Sequence, residues 1–569
     1  MPAFSSDWFV WKGEQAASND VIYSVLLFTI LSTVIISSFM YRFIARILRW
    51  MLAHNLLKKQ FPSPPVDSLL LGHSGQLQKP HHHRWLCEMT KQLGDKFYMR
   101  LAHNHVVMVS DPELMPIVFD RALYPPNADV IDRPVDQMLH GLDVVTSNAG
   151  EPNLLSAKTG DPYWRLVRKG VAPAFNPQNI RQGFGHVLEA TSQLIQVLKQ
   201  RGPEKAVDID DAAQRVALEV IGKVGFGKSF NSLASLDAPA EQDVFKALAA
   251  GLEEASKRMA NPLRTYMFFD PEVEKGNVSL RKFKSVTMEL LEEVQARGAP
   301  KEDDPTIAGH LLRLRDSEGR PLSQERLHAE FSVMFIGGTD TTGHTIANTL
   351  YLISQHPEVE AKITAELDSL GFLVGPTRPV PKKMEYSDLS KLTYLSAAIK
   401  ESMRLMAVVG AGVARVANEQ VKMGPYTIPK NTLLWVPLQA LQTSPALWPQ
   451  PDTYMPERWL EENAEYWTPQ PSSTGYEAGS AAARKTDSGK EQRFKKYMPF
   501  GDGMRACVGQ SLAKMNYTAA TALLLSQFTF RLADRMGGPE GVLAGEMARI
   551  TVAQRDGLWM HAVPRSVTA

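Results

Sequence analysis

One of the chain's two cysteines stands in Phe500-Gly501-Asp502-Gly503-Met504-Arg505-Ala506-Cys507-Val508-Gly509. A thiolate at Cys507 could donate electron density to a metal and favour O–O cleavage, which imidazole does less well. Gly503 and Gly509 would let the backbone bend close to the sulfur, so that backbone N–H groups point at it and tune it. Arg505 can form charge-assisted hydrogen bonds with an anionic group, and Phe500 would keep water from the thiolate. A lone cysteine is more often a packed, inert residue, but here five spaced positions agree with one chemical purpose. The other cysteine, Cys87, reads as such a packed thiol, and two cysteines exclude a disulfide framework or a four-cysteine metal site.

A second segment, Phe335-Ile336-Gly337-Gly338-Thr339-Asp340-Thr341-Thr342, lies inside the helical pattern of Ser323–Ser354. Two adjacent glycines weaken a helix by roughly 1 kcal/mol each relative to alanine, which is more plausible where the helix must open. Thr341 follows Gly337 by four, so its hydroxyl can bond back to that carbonyl. Asp340 beside it is a candidate proton source. A kinked packing helix is the bland alternative.

The cysteine segment resembles the heme-binding signature of the cytochrome P450 superfamily, Phe-x-x-Gly-x-Arg-x-Cys-x-Gly, at every fixed position, and the Gly-Thr-Asp-Thr-Thr segment is similar to the family's acid–alcohol pair. The resemblance implies that Cys507 is the proximal iron ligand of heme b, flanked by Phe500 and Gly509. It implies that Asp340 delivers protons and Thr341 holds the iron-bound oxygen. It also implies that Trp164, Arg168, Arg415 and Arg505 reach the heme propionates, and that Glu401, Arg404 and Arg458 lock the heme-side core. The implied activity is a monooxygenase inserting one atom of dioxygen into a lipophilic substrate. Electrons would come from NADPH through NADPH-cytochrome P450 reductase, with cytochrome b5 as a further partner. Substrate would be lined by Asp129–Val145, Phe331–Thr339, Ala407–Val413 and the region near Thr551. Two departures stand out: Ala407 and Val408 replace the family's usual prolines, and the Ser/Gly-rich stretch 469–490 reads as a flexible insertion. A reductase-independent isomerase or dehydratase acting on peroxides, or a non-catalytic heme- or lipid-binding membrane protein, are the competing readings.

The elements that must position these residues read as mainly α with small β-sheets, the P450 fold, with the heme between the oxygen-side helix and the cysteine loop. Helices are expected over Ser323–Ser354 and Ser387–Met406, and strands at His105–Ser110, Val421–Ile428 and Leu558–Val563. Val21–Tyr41 carries no charge and is long enough to span a bilayer. Acids precede it, and Arg42, Arg46, Arg49, Lys58 and Lys59 follow, which puts the rest of the chain on the cytosolic side. This divides the chain into an anchor, 1–60, and a catalytic domain, 61–569, on the endoplasmic reticulum membrane in contact with its lipid. A net charge of +1 gives no sign of nucleic-acid binding. The run His81-His82-His83 reads as a solvated loop rather than a metal site. Arg493, Lys495, Lys496 and Lys514 are expected on the outer face of the cysteine loop, where a reductase would dock.

Overall fold

Residues 7–119, 150–157, 160–236, 244–260, 264, 266–376, 378–417, 419–460 and 496–565 are described by the computed structural model of the chain. The 129–145 stretch, the 469–490 stretch, Arg493 and Lys495 lie outside them. The chain divides into two compact units, Met1–Phe61 and Pro62–Ala569. The described part of the first holds one helix, α1 (Asp7–Gln60), far longer than the uncharged run. Its Leu26–Gln60 part is long and apolar enough to cross a membrane.

In the second unit the longer helices are α2 (His82–Leu93), α3 (Pro162–Val171), α4 (Pro177–Arg201), α5 (Ile209–Phe226), α6 (Val244–Ala260), α7 (Pro271–Ala296), α8 (Gln324–Ser354), α9 (Pro357–Ser369), α10 (Thr393–Leu405) and α11 (Gln510–Gln527). The central one is α8. It starts where the Ser323 hydroxyl accepts from the Arg326 N–H, a side-chain cap on an otherwise orphan donor. From Leu327 to Ile353 it is buried except at Gly337, Gly338 and Thr341. Helix α5 lies directly against it because two residues lack a Cβ. A Cβ at Gly343 would fall 2.5 Å from the Gln214 Cα, and one at Gly338 would fall 2.4 Å from Ile221 Cγ1. Gly338 is therefore a packing glycine, and α8 runs on unbroken through the pair. The expected opening of the helix is not seen at either glycine; Gly337 lies in the same continuous helix, and a Cβ there would meet nothing within 4 Å among the described residues.

The strands are short and sit at the edges of this helical body. A four-stranded sheet has the order β1-β2-β7-β4, built from β1 (Lys96–Leu101), β2 (Asn104–Val109), β4 (Val413–Val416) and β7 (Leu433–Val436). Within this sheet, among the described residues, β2 and β7 pair in parallel and the other pairs are antiparallel. A second sheet orders β3 (Val207–Asp208), β11 (Trp559–Pro564) and β8 (Phe528–Leu532). Among the described residues there are also two small hairpins, β5 (Val421–Met423) with β6 (Tyr426–Ile428) and β9 (Glu546–Ala548) with β10 (Val552–Gln554). The mainly α class with minor β is thus present.

The helix expected over Ser387–Met406 is two pieces. A 3-10 turn, Tyr386–Lys391, ends at Leu392, whose non-helical backbone separates it from α10. At the start of the 3-10 turn Asp388 accepts from the Glu385 N–H and caps it. The histidine run also differs from expectation. His82 and His83 are buried in the first turn of α2. A carboxylate partner, Glu546, recruits His83 inward, a partner that no local composition reveals.

Candidate active site

Cys507 lies just ahead of α11, where the helix N-terminus favours negative charge. Its loop is set by backbone contacts, with the Cys507 N–H donating to the Phe500 carbonyl over 3.0 Å. Gly503 takes φ +68, and a Cβ there would meet the Phe119 carbonyl at 2.6 Å, so this position requires glycine. Gly509 differs from expectation. Its φ is ordinary, and a Cβ would sit 3.9 Å from the Cys507 sulfur, an unstrained contact. Its N–H works to lower the pKa of the sulfur. The thiol reaches open space although protein crowds it on most sides. That crowding raises its pKa, while the Gly509 N–H and the Arg168 guanidinium work in the opposite direction. Cys87 is half-buried, donates to the His83 carbonyl, and is raised to about 11 by burial. Both thiols are free.

The basic residues gather around this loop. Helix α3 starts at Pro162 with Asp161 as its cap, and it carries Trp164 and Arg168 four residues apart on one face. Arg168 Nη2 donates to the Ala506 carbonyl over 2.9 Å. Trp164 Nε1 and Arg505 Nη1 both donate to the Leu154 carbonyl, at 3.1 and 3.3 Å. The Arg505 guanidinium lies 4.9 Å from the Trp164 ring centre. Arg415, on β4, stacks 5.1 Å over the ring of Phe119, the residue whose carbonyl meets Gly503. Phe500 is half-buried, with Lys514 Nζ 5.9 Å from its ring.

A group that sequence reasoning missed, Glu330, ties this cluster to α8. Its carboxylate accepts from the Tyr163 hydroxyl at 2.8 Å and the Leu154 N–H at 3.2 Å. Burial pushes it up to about 7. A carboxylate inside an apolar helix run is the signal that could have found it.

On α8 the Thr341 hydroxyl donates to the Gly337 carbonyl over 3.0 Å. Asp340 is buried, and its Oδ2 accepts from the Thr551 hydroxyl at 2.5 Å. Its Oδ1 lies 3.2 Å from His344 Nε2, a charge contact off the angle of a hydrogen bond. His344 Nδ1 is 2.6 Å from Asp210 Oδ1 on α5. Burial opposes charge on this imidazole, but the Asp210 and Asp340 carboxylates outweigh it and carry the pKa up to about 10. Burial likewise opposes charge on Asp340, and His344, Thr551 and Arg549 reverse it, so that its pKa falls below the ordinary value. The i, i+4 spacing of Asp340 and His344 was visible in the sequence; Asp210 was not.

Other expectations are redistributed. Phe331 and Phe335 are fully buried, packing on Phe226, Phe230 and Phe283, and so do not line an open space. The Val408 carbonyl accepts from the Val552 N–H at 2.7 Å, which joins the 407–413 stretch to the region of Thr551. Lys496 is buried, with Nζ on the Leu447 carbonyl and 4.4 Å from the Trp448 ring. It is not on the outer face, whereas Lys514 is exposed.

These observations fit a heme. The accessible thiol, the accessible turn of α8 and the basic residues beside the thiol suit an iron, an oxygen-side groove and two acidic propionates. The cytochrome P450 family model matches residues 62–540. Cytochrome P450 3A9 of Rattus norvegicus is 24% identical over 65% of this chain and 68% of its own length. A self-sufficient cytochrome P450 monooxygenase of Phanerodontia chrysosporium is 23% identical over 89% of this chain and 43% of its own length. The crystal structure of the cytochrome P450DA heme domain superposes with a TM-score of 0.69, at 21% identity, covering 89% of this chain and 98% of that one.

Proposed function

The chain belongs to the cytochrome P450 family, and from that premise we propose that this heme-thiolate monooxygenase holds its iron on Cys507 and hydroxylates a lipophilic substrate with electrons from an NADPH-dependent reductase. The observation that carries the assignment is where the buried core becomes accessible: at the Cys507 thiol and at the Gly337–Thr341 turn of α8. Bound heme supplies iron that activates dioxygen, with a thiolate pushing electron density toward it. Trp164, Arg168, Arg415 and Arg505 would take the propionates, exchanging carbonyl contacts for stronger charge-assisted ones. Thr341 would orient oxygen in the groove, and Asp340 would hold and pass protons there. Phe500 would shield the sulfur from water.

The mostly apolar Ala407–Val413 stretch supports a lipophilic substrate. The apolar helix α1 supports attachment to a membrane, and the basic residues that follow its uncharged run support a cytosolic catalytic unit on the endoplasmic reticulum. Cytochrome b5 and a separate reductase are the partners that this placement favours. The test is spectroscopic. The reduced protein under carbon monoxide should show the red-shifted Soret band of thiolate-bound heme. Cys507→Ser should lose it and Cys87→Ser should keep it. A thiolate band that survives Cys507→Ser rejects the assignment. Product formation that requires added reductase, rather than NADPH alone, tests the electron source.

A further inference from the structure

Glu330 is 0% exposed in the first turns of α8, and its two oxygens serve different partners. Oε1 accepts from the Tyr163 hydroxyl of α3, and Oε2 accepts from the Leu154 N–H. Burial pushes the carboxyl up, while the Tyr163 hydroxyl, the Leu154 N–H and Arg326 hold it down. A buried carboxylate needs such partners to carry its charge. One turn earlier on α8, Arg326 lies 4.0 Å over the Tyr163 ring and 3.4 Å from the Glu151 carboxylate. Two side chains on one face of α8 thus grip the segment that precedes α3.

That segment is braced from within. Asn153 is fully buried. Its Oδ1 accepts from the Leu155 and Ser156 N–H groups, and its own N–H donates to the Ser156 hydroxyl. Its carbonyl accepts from the Ala157 N–H. The Leu155, Ser156 and Ala157 amides are therefore spent inside the turn, and the Leu154 amide reaches outward to Glu330. The carbonyls serve the cysteine side. Leu154 accepts from Trp164 Nε1 and Arg505 Nη1, and Leu155 accepts from Arg505 Nη2 at 2.8 Å. One braced turn therefore stands between the oxygen-side helix and two of the side chains assigned above to the propionates.

We propose that Glu330 is a positioning residue for the heme: from α8 it fixes the 153–157 turn, and the carbonyls of that turn set where Trp164 and Arg505 stand to meet a propionate. The inference rests on the reading above, in which those two side chains take propionates. A long arginine side chain loses much rotamer freedom when it is ordered. Holding it in place beforehand removes that cost from heme binding. Without Glu330 the turn would keep its shape, which its own bonds supply, and lose its place. The other grip cannot replace it, because Arg326 and Glu151 are each about one-third exposed and such pairs contribute little.

Two measurements on the heme-loaded full chain test it. The first is the rate of heme transfer to excess apomyoglobin, in a cycle of Glu330→Leu and Arg505→Lys. Each single variant should speed the transfer about tenfold, the scale of one lost bond to a charged group. The double variant should be little faster than Arg505→Lys alone, because both changes undo the same arrangement. Factors that multiply in the double variant overturn the proposal, as does a Glu330→Leu rate equal to wild type. Arg505→Lys at the wild-type rate rejects the propionate reading and the proposal with it. Fast transfer from Arg505→Lys but not from Glu330→Leu rejects the proposal and leaves that reading standing. Should Glu330→Leu fail to fold, the cycle runs with Glu330→Gln, which keeps the shape and removes the charge. Its acceleration should be about threefold, since charge-assisted bonds are roughly twice as strong as neutral ones, and it should again vanish beside Arg505→Lys. The second measurement is amide hydrogen exchange. In either Glu330 variant the Leu154 amide should exchange several-fold faster, while the Ser156 and Ala157 amides keep their protection. A Leu154 amide protected as in wild type overturns the proposal, and so does an equal loss at all three, which would make Glu330 a residue that folds the turn rather than places it.

Discussion

Arg458 Nε donates to Glu401 Oε1 over 3.0 Å, across 57 positions of sequence. The same carboxylate accepts two bonds from Arg404, at 2.8 and 2.9 Å, one from Trp459 Nε1 and one from the Met455 N–H. All three charged side chains are 0% exposed. Two cations thus depend on one anion inside the protein, and losing that anion leaves them uncompensated. Glu401→Gln should cost about 3–5 kcal/mol. The check is the yield of heme-loaded protein by its carbon monoxide band, which should fall sharply. A normal yield and thermal midpoint would show that the pairing is dispensable.

Thr341 should govern where reducing power goes. Among the described residues its hydroxyl bonds only within its own helix, to Gly337, so Thr341→Ala should leave fold and heme binding intact. NADPH consumption should continue while hydrogen peroxide rises and product falls. A missing acid path typically costs about a hundredfold, and water substituting for the hydroxyl reduces that. The quantity to measure is product per NADPH. An unchanged ratio would make Thr341 a structural residue and favour reductase-independent peroxide chemistry, most of all if hydroperoxides turned over without reductase.

Stability should depend on pH through His344. Its folded pKa of about 10 exceeds the free value of 6.5. Between those values the folded state holds a proton that the unfolded chain has lost, so stability falls as pH rises. The contribution is complete below about pH 6.5 and gone above about pH 10. The difference in unfolding free energy between wild type and His344→Gln should therefore shrink by roughly 1.4 kcal/mol per pH unit across that window. A difference independent of pH would mean that the imidazole is not held charged.

The two lysines near the cysteine loop should behave oppositely. Lys514 is exposed, so Lys514→Glu should keep the thiolate band and slow reductase-driven turnover, sparing turnover driven by added peroxide. Lys496 is buried over Trp448, so Lys496→Glu should damage folding and depress both assays alike. Equal losses in both assays for Lys514→Glu would reject a docking role.

The sequence by itself determined the family, the mainly α class, α8, and the cluster of candidate heme contacts, because these are written in short spacings. Phe500 to Gly509 is one loop, Gly337 to Thr341 is one helical turn, and Trp164 to Arg168 is one face of α3. Local geometry carries such patterns whatever surrounds them. Tertiary structure alone decided what the charged groups meet. The buried run at His82–His83, the inward Lys496, the Glu330 link to Leu154 and the pairing of His344 with Asp210 depend on partners far away in sequence. A buried ionisable group is set by whichever opposite charge or carbonyl the fold brings to it, and spacing along the chain holds no record of that meeting. Gly338 shows the same limit: read as a place where the helix opens, it is where α5 comes close.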